Sequence, residues 1–258
     1  MTLPHPVVDS AQWTEQRRRL LTREKELTHL RDELARERRA LPWRRVEKRY
    51  VFDTAQGRKT LGELFGAQRQ LLVQHFMFGP GWEQGCPSCS FMADHADGMT
   101  IHMAHRDVAF VAVSRAPLAD IQRFRERMGW RFDWVSSNGS DFNFDFAVSF
   151  TPEQLATGEV EYNYRKGYFP AEEAPGLSVF CKDDAGDVFH TYSTFGRGVE
   201  AMMGAYALID LTPQGRNERD VFYKMEWVRH HDRYEPGRGY EHAPEKVAPP
   251  AACPHCET

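Results

Sequence analysis

The sequence lacks long hydrophobic runs. No stretch approaches the roughly 18 apolar residues that a membrane-spanning helix needs, and the opening segment has no apolar core of the kind found in a signal peptide. We therefore expect a cytoplasmic protein with no membrane partner. The chain also lacks an excess of basic residues, because its formal net charge is -4, and we expect no nucleic-acid partner.

Several catalytic classes lack their usual signatures here. There is no phosphate-binding glycine loop, no nucleophile elbow and no spaced pair of carboxylates that would indicate another reaction. Cysteine is scarce too, with 5 in 258 residues, and it is not spread evenly as in a disulfide-stabilised secreted domain. Four of the five form two C-P-x-C pairs, Cys86 with Cys89 and Cys253 with Cys256. Such pairs in a reducing compartment are usually catalytic or metal-binding.

The composition, 41% hydrophobic and 12% aromatic, is enough for one substantial core. We predict a helical extension over residues 1–42, a main domain over 43–234 and a flexible tail over 235–258. Residues 11–40 contain neither Gly nor Pro and predict one charged helix, with Ser10 as its N-cap. Its narrow apolar stripe would pack on the protein's own domain or form a homodimer contact, and it repeats every seven residues through Trp13, Leu20, Leu27, Leu34 and Leu41.

The main domain alternates strands and helices, as an α/β protein does. The apolar run over residues 71–78 predicts a buried parallel strand, and helices over 88–96 and 118–129 flank a second apolar strand within 107–117. The strict alternation of DFNFDFAVSF, residues 141–150, predicts a further strand. Residues 177–194 predict a hairpin that turns at 184–186, and residues 197–210 predict a last helix.

The first cysteine pair lies where helix 88–96 is expected to begin. A thiolate at a helix N-terminus is stabilised by the helix dipole and by free backbone amides. Pro87, at the first helical position, needs no amide partner, and Cys89 lies one turn further along. The order of apolar strand, loop, C-P-x-C and helix is typical of a thioredoxin-like redox site. Cys86 would then be the attacking thiolate and Cys89 the resolving thiol.

Metal binding is the alternative for this pair. Cys86 and Cys89 with a histidine such as His75 or His102 would form a copper or zinc site, in a metal-binding protein or a metal-dependent oxidase. Two further interpretations stay open, an inert structural pair and a non-catalytic interaction module. Asp141 and Asp145 would line a polar cleft beside the cysteines or, more simply, form a solvated strand face.

The second pair, Cys253 and Cys256, follows the linker EKVAPPAA. Three interpretations compete: a mobile accessory dithiol that reduces the first pair, a four-thiolate zinc site shared with it, or an unstructured tail. Cys181 stands alone in a predicted strand and is expected to be a buried, small apolar side chain.

At this point the sequence resembles known proteins. The layout over residues 50–91, with DTAQG, LGELF, an apolar strand and a cysteine helix, resembles the first half of the peroxiredoxin and thioredoxin-like superfamily. More closely, it resembles the bacterial family called domain of unknown function 899, whose fold is predicted to be thioredoxin-like. That resemblance covers roughly residues 5–235 and is carried by GCPSCSF, VSRAPL, RMGW, WVSS, DFNFDF, VSFTPE, HTYSTF, DLTPQGR and WVRHHDRY.

The resemblance implies a peroxiredoxin-type central sheet flanked by helices and a dithiol-disulfide oxidoreductase that needs no cofactor beyond its redox-active disulfide. Its partners would be a protein or small-molecule disulfide and a thiol reductant. Thioredoxin-like proteins place a cis-proline opposite the cysteines, for which Pro175 is the expected match and Pro152 the reserve. Pro175 would shape substrate access together with Trp82 and Pro87. Peroxide reduction ranks lower, because the Pro, Thr and Cys arrangement of a peroxidatic site is absent.

Overall fold

The structure is a computed structural model that describes residues 5–235. The chain divides after Pro42 into two units. The first unit contains one long helix, α1 (Ser10–Arg39), none of whose residues is buried. Its N-cap is Asp9 and not the predicted Ser10, because the Asp9 carboxylate accepts a hydrogen bond of 2.8 Å from the backbone N–H of Gln12.

The second unit contains ten strands and six α-helices within its described residues. The strands are β1 (Arg44–Arg45), β2 (Val51–Thr54), β3 (Gly57–Thr60), β4 (Gln70–His75), β5 (Val108–Ser114), β6 (Asp133–Ser136), β7 (Val160–Tyr162), β8 (Arg165–Gly167), β9 (Gly176–Lys182) and β10 (Val188–Phe195). The helices are α2 (Pro87–Ala96), α3 (Thr100–Ala104), α4 (Leu118–Arg127), α5 (Phe142–Asp145), α6 (Pro152–Ala156) and α7 (Gly204–Ile209). Three 3-10 helices span Leu61–Phe65, Gly196–Met202 and His231–Arg233.

Eight strands form one mixed sheet in the order β1-β10-β9-β4-β5-β6-β2-β3. At its centre β4 pairs in parallel with β5, and β5 in parallel with β6, while β9 runs antiparallel to β4 and β10 antiparallel to β9. The dithiol helix α2 connects β4 to β5. This order and these directions are those of a thioredoxin-like fold, and the predicted α/β class is confirmed.

The sheet buries a separate apolar cluster on each face, because successive strand residues point to opposite sides. Leu72 on β4 and Phe76 just after it pack in one cluster with Cys89 and the other apolar residues of α2. Leu71 and Val73 pack in the second cluster, around Phe142 and Phe180. We call these sides the cysteine face and the histidine face, since His75 shares the parity of Leu71 and Val73.

The predicted strand over residues 141–150 is wrong in its first half. Residues 142–145 form the single helical turn α5, and Ala147 then takes a positive φ of 52°. Phe142 and Phe146 are both buried, and a spacing of four residues satisfies a helix as well as a strand. Asn143, predicted on the polar face, is also buried and accepts a hydrogen bond of 2.7 Å from the Ser137 hydroxyl.

Other predicted elements are confirmed. Helix 88–96 corresponds to α2, helix 118–129 to α4, and the hairpin of 177–194 to β9 and β10. The predicted last helix is instead a 3-10 helix followed by α7, with Met203 between them at φ -101° and ψ 69°. Within residues 5–235, no helix has the length and apolar character needed to cross a membrane.

Candidate active site

Cys86 occupies the N-cap of α2, with Pro87 as the first helical residue. Its backbone is held on both sides. The Cys86 N–H donates to the Met77 carbonyl at 3.0 Å, and the Cys86 carbonyl accepts from the backbone N–H and the hydroxyl of Ser90 at 2.9 and 3.0 Å. The thiol is thereby fixed at the helix end, where free amides and the helix dipole favour negative charge.

The residue before Cys86 must be glycine for reasons of space. A Cβ on Gly85 would lie 2.6 Å from Phe76 Cε1 and 3.1 Å from Phe124 Cε1. The Gly85 carbonyl also accepts a hydrogen bond of 2.8 Å from His230 Nε2, and His230 is buried. The close packing of this backbone sets the position of the cysteine that follows.

The two thiols differ in their proton affinity. The pKa of Cys86 is lowered to about 7, chiefly because the Cys89 thiol donates a hydrogen bond to it. The backbone amides of Cys89 and Ser88 and the Ser88 hydroxyl act in the same direction, and together these donors outweigh the opposing effect of burial. The hydrogen bond to Cys86, followed by burial, raises the pKa of Cys89. Cys89 therefore stays a thiol where Cys86 becomes a thiolate.

Exposure separates the two cysteines as well. Cys86 is half-buried, whereas Cys89 is 1% exposed and packs in the core of the cysteine face. The amide nitrogen of Gln74, on β4, donates to the Cys89 carbonyl at 3.1 Å and ties the helix to the sheet. Both cysteines are free thiols. A half-buried thiol with a lowered pKa thus lies one turn from a buried thiol with a raised pKa.

A cavity of about 490 Å³ opens beside the dithiol and is lined by Cys86, Ser88 and Cys89. The rest of its wall comes from Met77, from α2 and from two later parts of the chain, residues 162–175 and 196–225. Its apolar surface is formed by Met77, Met92, Phe169, Val199, Met203 and Met225. This volume is typical of a small-molecule site.

One side of the cavity carries paired charges that sequence analysis missed. Arg216 contacts Glu200 at 3.0 Å and Asp210 at 2.8 Å, and Arg197 contacts Glu200 at 2.9 Å. The Glu218 carboxylate accepts hydrogen bonds from the Tyr206 hydroxyl at 2.5 Å and the Trp227 indole at 2.7 Å. These residues lie more than 100 positions after Cys86, and no sequence signal linked them to the dithiol.

The three predicted substrate-binding residues occupy different places. Pro175 lines the cavity, just before β9. Pro87 is exposed at the first turn of α2. Trp82 is half-buried against the core of the cysteine face, and its indole N–H donates to Glu172 at 2.8 Å. The predicted cis-proline is wrong, because residues 5–235 contain no cis peptide bond; Pro152, the reserve, begins α6.

The predicted histidine ligands do not meet the cysteines. His75 lies on the histidine face, opposite Cys89, because it follows Gln74 on β4 and neighbouring strand residues point to opposite sides. His102 is exposed on α3 and does not line the cavity. In the part of the chain that the structure describes, no three His, Cys, Asp or Glu residues are grouped to hold a metal ion. The proposed metal set of His75, Cys86, Cys89 and His102 is therefore wrong.

Asp141 and Asp145 do not line a cleft beside the cysteines either. Both carboxylates accept hydrogen bonds of 2.7 Å from the Lys48 ammonium, and Asp145 also accepts one from Tyr50 at 2.7 Å. Tyr50 packs in the cluster of the histidine face, so this network lies on the far side of the sheet.

The remaining cysteines lie apart from this geometry. Cys181 is on β9 at intermediate exposure, and burial raises the pKa of its thiol. Cys253 and Cys256 lie outside the described residues, and the three interpretations of that pair stay predictions.

The fold and the dithiol together define a thioredoxin-like protein with a C-P-x-C pair at the start of the helix after the central strand. The chain belongs to the family described as "Bacterial protein of unknown function (DUF899)", whose model matches residues 2–234. The resemblance seen in the sequence is thereby confirmed. No curated protein matches the chain.

Solved structures similar to this chain include several peroxiredoxins. Peroxiredoxin Q from Xanthomonas campestris is 12% identical and covers 60% of this chain and 87% of its own, with a TM-score of 0.41. Peroxidoxin BcpB from Mycobacterium tuberculosis is 12% identical and covers 64% and 97%, with a TM-score of 0.42. The mitochondrial 2-Cys peroxiredoxin from Plasmodium falciparum is 12% identical and covers 65% and 94%, with a TM-score of 0.37.

Proposed function

We propose that this protein is a thiol-disulfide oxidoreductase in which Cys86 is the nucleophile and Cys89 the resolving thiol. The observation that carries the proposal is the asymmetry of the pair. Cys86 is half-buried at a helix N-terminus, with a pKa of about 7, while Cys89 is buried, protonated and donates a hydrogen bond to it. A nucleophile whose pKa lies near ambient pH combines a large thiolate fraction with good nucleophilicity.

The reaction balances with these two thiols alone. The Cys86 thiolate attacks one sulfur of a substrate disulfide, forms a mixed disulfide and releases the other half as a thiolate. Cys89 then loses its proton, attacks the Cys86 sulfur and releases the second thiolate. The substrate gains two electrons and the Cys86–Cys89 pair loses two. A thiol reductant restores the dithiol, so the proposal needs no metal or organic cofactor.

Substrate disulfides of proteins and of small molecules both remain within this proposal. In the same proposal the protein acts in the cytoplasm, and α1 forms a homodimer contact. Pro87, exposed next to Cys86, and Pro175 in the cavity wall would contact the substrate. Trp82 would act indirectly, because its indole is turned to Glu172.

The decisive experiment follows disulfide exchange by the full-length reduced protein and its variants. We expect Cys86→Ser to abolish exchange and Cys89→Ser to accumulate a mixed disulfide at Cys86, visible in the intact mass. Cys181→Ser is the matched control and should exchange as the wild type does. Wild-type exchange rates in Cys86→Ser would overturn the proposal. So would a stoichiometric metal ion in protein purified without chelator that is lost only in that variant.

A further inference from the structure

The cavity beside Cys86 has a chemical character of its own. Apolar side chains from three separate parts of the chain meet there: Met77 precedes α2, Met92 lies on it, and Phe169, Val199, Met203 and Met225 come from residues 169–225. Methionine side chains adapt to ligands of varied shape, and aromatic walls favour flat apolar groups. The wall therefore suits an apolar molecule of small size.

The charged groups of the wall are balanced. Three are basic and three acidic, namely Arg197, Arg216, Lys224, Glu200, Asp210 and Glu218. Both arginines are engaged by carboxylates, and the Glu218 carboxylate is engaged by three donors, including the Met225 N–H at 3.1 Å. Lys224 is exposed to solvent. A negatively charged substrate could pair with Lys224 at the exposed part of the wall. A charge placed elsewhere in the cavity would have to break one of these ion pairs or enter without a partner, and both are unfavourable.

The ion pairs of the cavity wall also affect whether a disulfide or a hydroperoxide would be the better substrate. When a thiolate attacks a hydroperoxide, the leaving group is an alkoxide or hydroxide, which is strongly basic and needs a cationic or acidic partner. A thiolate leaving group is far less basic and leaves without one. The guanidinium groups of Arg197 and Arg216, in the wall of the same cavity, are already held by Glu200 and Asp210. The site is therefore better equipped for a disulfide than for a hydroperoxide.

We propose that the cavity binds small, uncharged, largely apolar organic disulfides and presents one of their sulfurs to Cys86, an inference that rests on the proposed function. One organic group lies against the methionine and phenylalanine wall while Cys86 attacks. The Cys86 thiolate forms the mixed disulfide with one half and the other half leaves as its thiolate. Cys89 then forms the Cys86–Cys89 disulfide, its proton passes to solvent, and the second half leaves. An external dithiol returns the two electrons.

The test compares disulfides that differ in charge. Full-length reduced protein is mixed with neutral dithiodipyridine, dianionic dithiobis-nitrobenzoate or dicationic cystamine near neutral pH, and the rate for Cys86→Ser is subtracted. Each rate is divided by that of the same probe with dithiothreitol, which removes intrinsic reactivity. We expect this ratio to be at least about ten times larger for the neutral probe than for either charged probe. The neutral ring can be buried in the cavity without breaking an ion pair, whereas a charged group cannot.

A pair of variants locates the effect in the cavity. Ala171→Trp fills the wall beside the dithiol, whereas Ala185→Trp adds the same side chain at the exposed turn between β9 and β10. Ala171→Trp should lower the ratio for the neutral probe to that of the charged probes and leave alkylation of Cys86 by iodoacetamide unchanged. Ala185→Trp should behave as the wild type. A neutral thioether without a disulfide should slow wild-type alkylation of Cys86, which tests binding without any variant.

Each outcome decides the inference. Equal ratios for all three probes, with Cys86 still cycling, would overturn the inference and leave the proposed function intact. The same ratio can be measured for neutral cumene hydroperoxide. If it were larger than the ratio for dithiodipyridine, the inference that the substrate is a disulfide would be overturned. A dithiol inert to every disulfide would overturn both the inference and the proposed function. The inference would be supported if the neutral probe had the higher ratio in the wild type and in Ala185→Trp but not in Ala171→Trp.

Discussion

The two faces of the central sheet bury ionisable groups in opposite ways. On the cysteine face, Cys86 meets the end of α2 and the donors of Cys89 and Ser88, which favour its charged form. On the histidine face, His75 is 1% exposed and bonds to the Ser178 hydroxyl, and burial, followed by His190, favours its neutral form. The comparison shows that burial alone does not decide whether an ionisable group is charged. The hydrogen-bond donors and charges around the group determine whether its charged or its neutral form is favoured.

The histidine face holds a chain of hydrogen bonds between neutral groups. His75 Nε2 bonds to the Ser178 hydroxyl, Ser178 to Ser193, and Ser193 to His190 Nε2, each at 2.7 Å. Burial lowers the pKa of His75 to about 3 and that of His190 to about 4. This side is closed by Phe142 and Phe146, whose ring centroids lie 5.7 and 6.0 Å from that of His75. It stabilises the fold without exposing a reactive group.

The largest predicted effect is a loss of stability from a substitution on the cysteine face. Gly85→Ala places a methyl group against Phe76 and Phe124, and overpacking of this kind costs about 2–3 kcal/mol. The strain would also move Cys86 from the helix end and raise its pKa. Gly98→Ala is the control, because its Cβ meets nothing within 4 Å. Urea unfolding and the pH profile of Cys86 alkylation measure both effects, and equal behaviour of the two variants would refute the steric argument.

The second prediction concerns His75 and acid. Unfolded histidine titrates near pH 6.5, whereas folded His75 titrates at about 3, so the unfolded state binds the proton first and stability falls as pH drops below about 6.5. Between about pH 7 and about pH 5 this group should cost the wild type about 2 kcal/mol. His75→Gln retains a partner for Ser178 and should lack that loss. Urea unfolding of both proteins at the two pH values measures the difference, and parallel losses would contradict the prediction.

The third prediction sharpens the role of Cys89. Cys89→Ala removes the main donor to the Cys86 thiolate, so the pKa of Cys86 should rise from about 7 toward its ordinary value. Alkylation of Cys86 at about pH 7 should slow about ten-fold. The matched control is Cys181→Ala, which removes a thiol from β9 and should leave the profile unchanged. The same midpoint in Cys89→Ala and wild type would show that the helix end alone sets the reactivity of Cys86.

The cysteine face was predictable where local signals were strong. The apolar run before Gly79, Pro87 after Cys86, and the C-P-x-C spacing are all local. Together they predicted β4, α2 and the position of Cys86 at the start of α2. The side of the sheet to which each residue of β4 points is not determined by local sequence. Whether Gln74 or His75 faces the dithiol depends on which side α2 packs. The alternative that joined His75 to the cysteines was therefore wrong, and His75 is a hydrogen-bonded core residue.

The cavity was beyond the sequence for a similar reason. Its wall brings residues 162–225 next to Cys86, and of these Pro175 alone was expected near the dithiol. The turn α5 was missed because the spacing of Phe142 and Phe146 fits both a helix and a strand. The burial of Asn143 and the positive φ of Ala147 distinguish the two, and neither can be seen in the sequence. The predicted last helix over 197–210 was likewise interrupted at Met203, which separates a 3-10 helix from α7.

The smallest predicted effect tests a contact between the two clusters. Trp82 packs on the cysteine face, and its partner Glu172 belongs to the segment that carries Phe169 and Ala174 into the histidine face. Glu172→Ala removes that hydrogen bond and should lower the free energy of unfolding by about 1 kcal/mol, whereas Glu172→Gln keeps an acceptor and should cost less.

The loss should stay small because the next residue holds the same segment. Glu173 is 1% exposed and accepts hydrogen bonds from Arg115 at 2.7 Å and Ser149 at 2.6 Å. With that anchor in place, Glu172→Ala should leave the pKa of Cys86 at about 7. Urea unfolding and Cys86 alkylation against pH measure the two quantities. If the alkylation midpoint moved with stability, the thiolate would depend on the contact between the two clusters and not on the helix end and Cys89 alone.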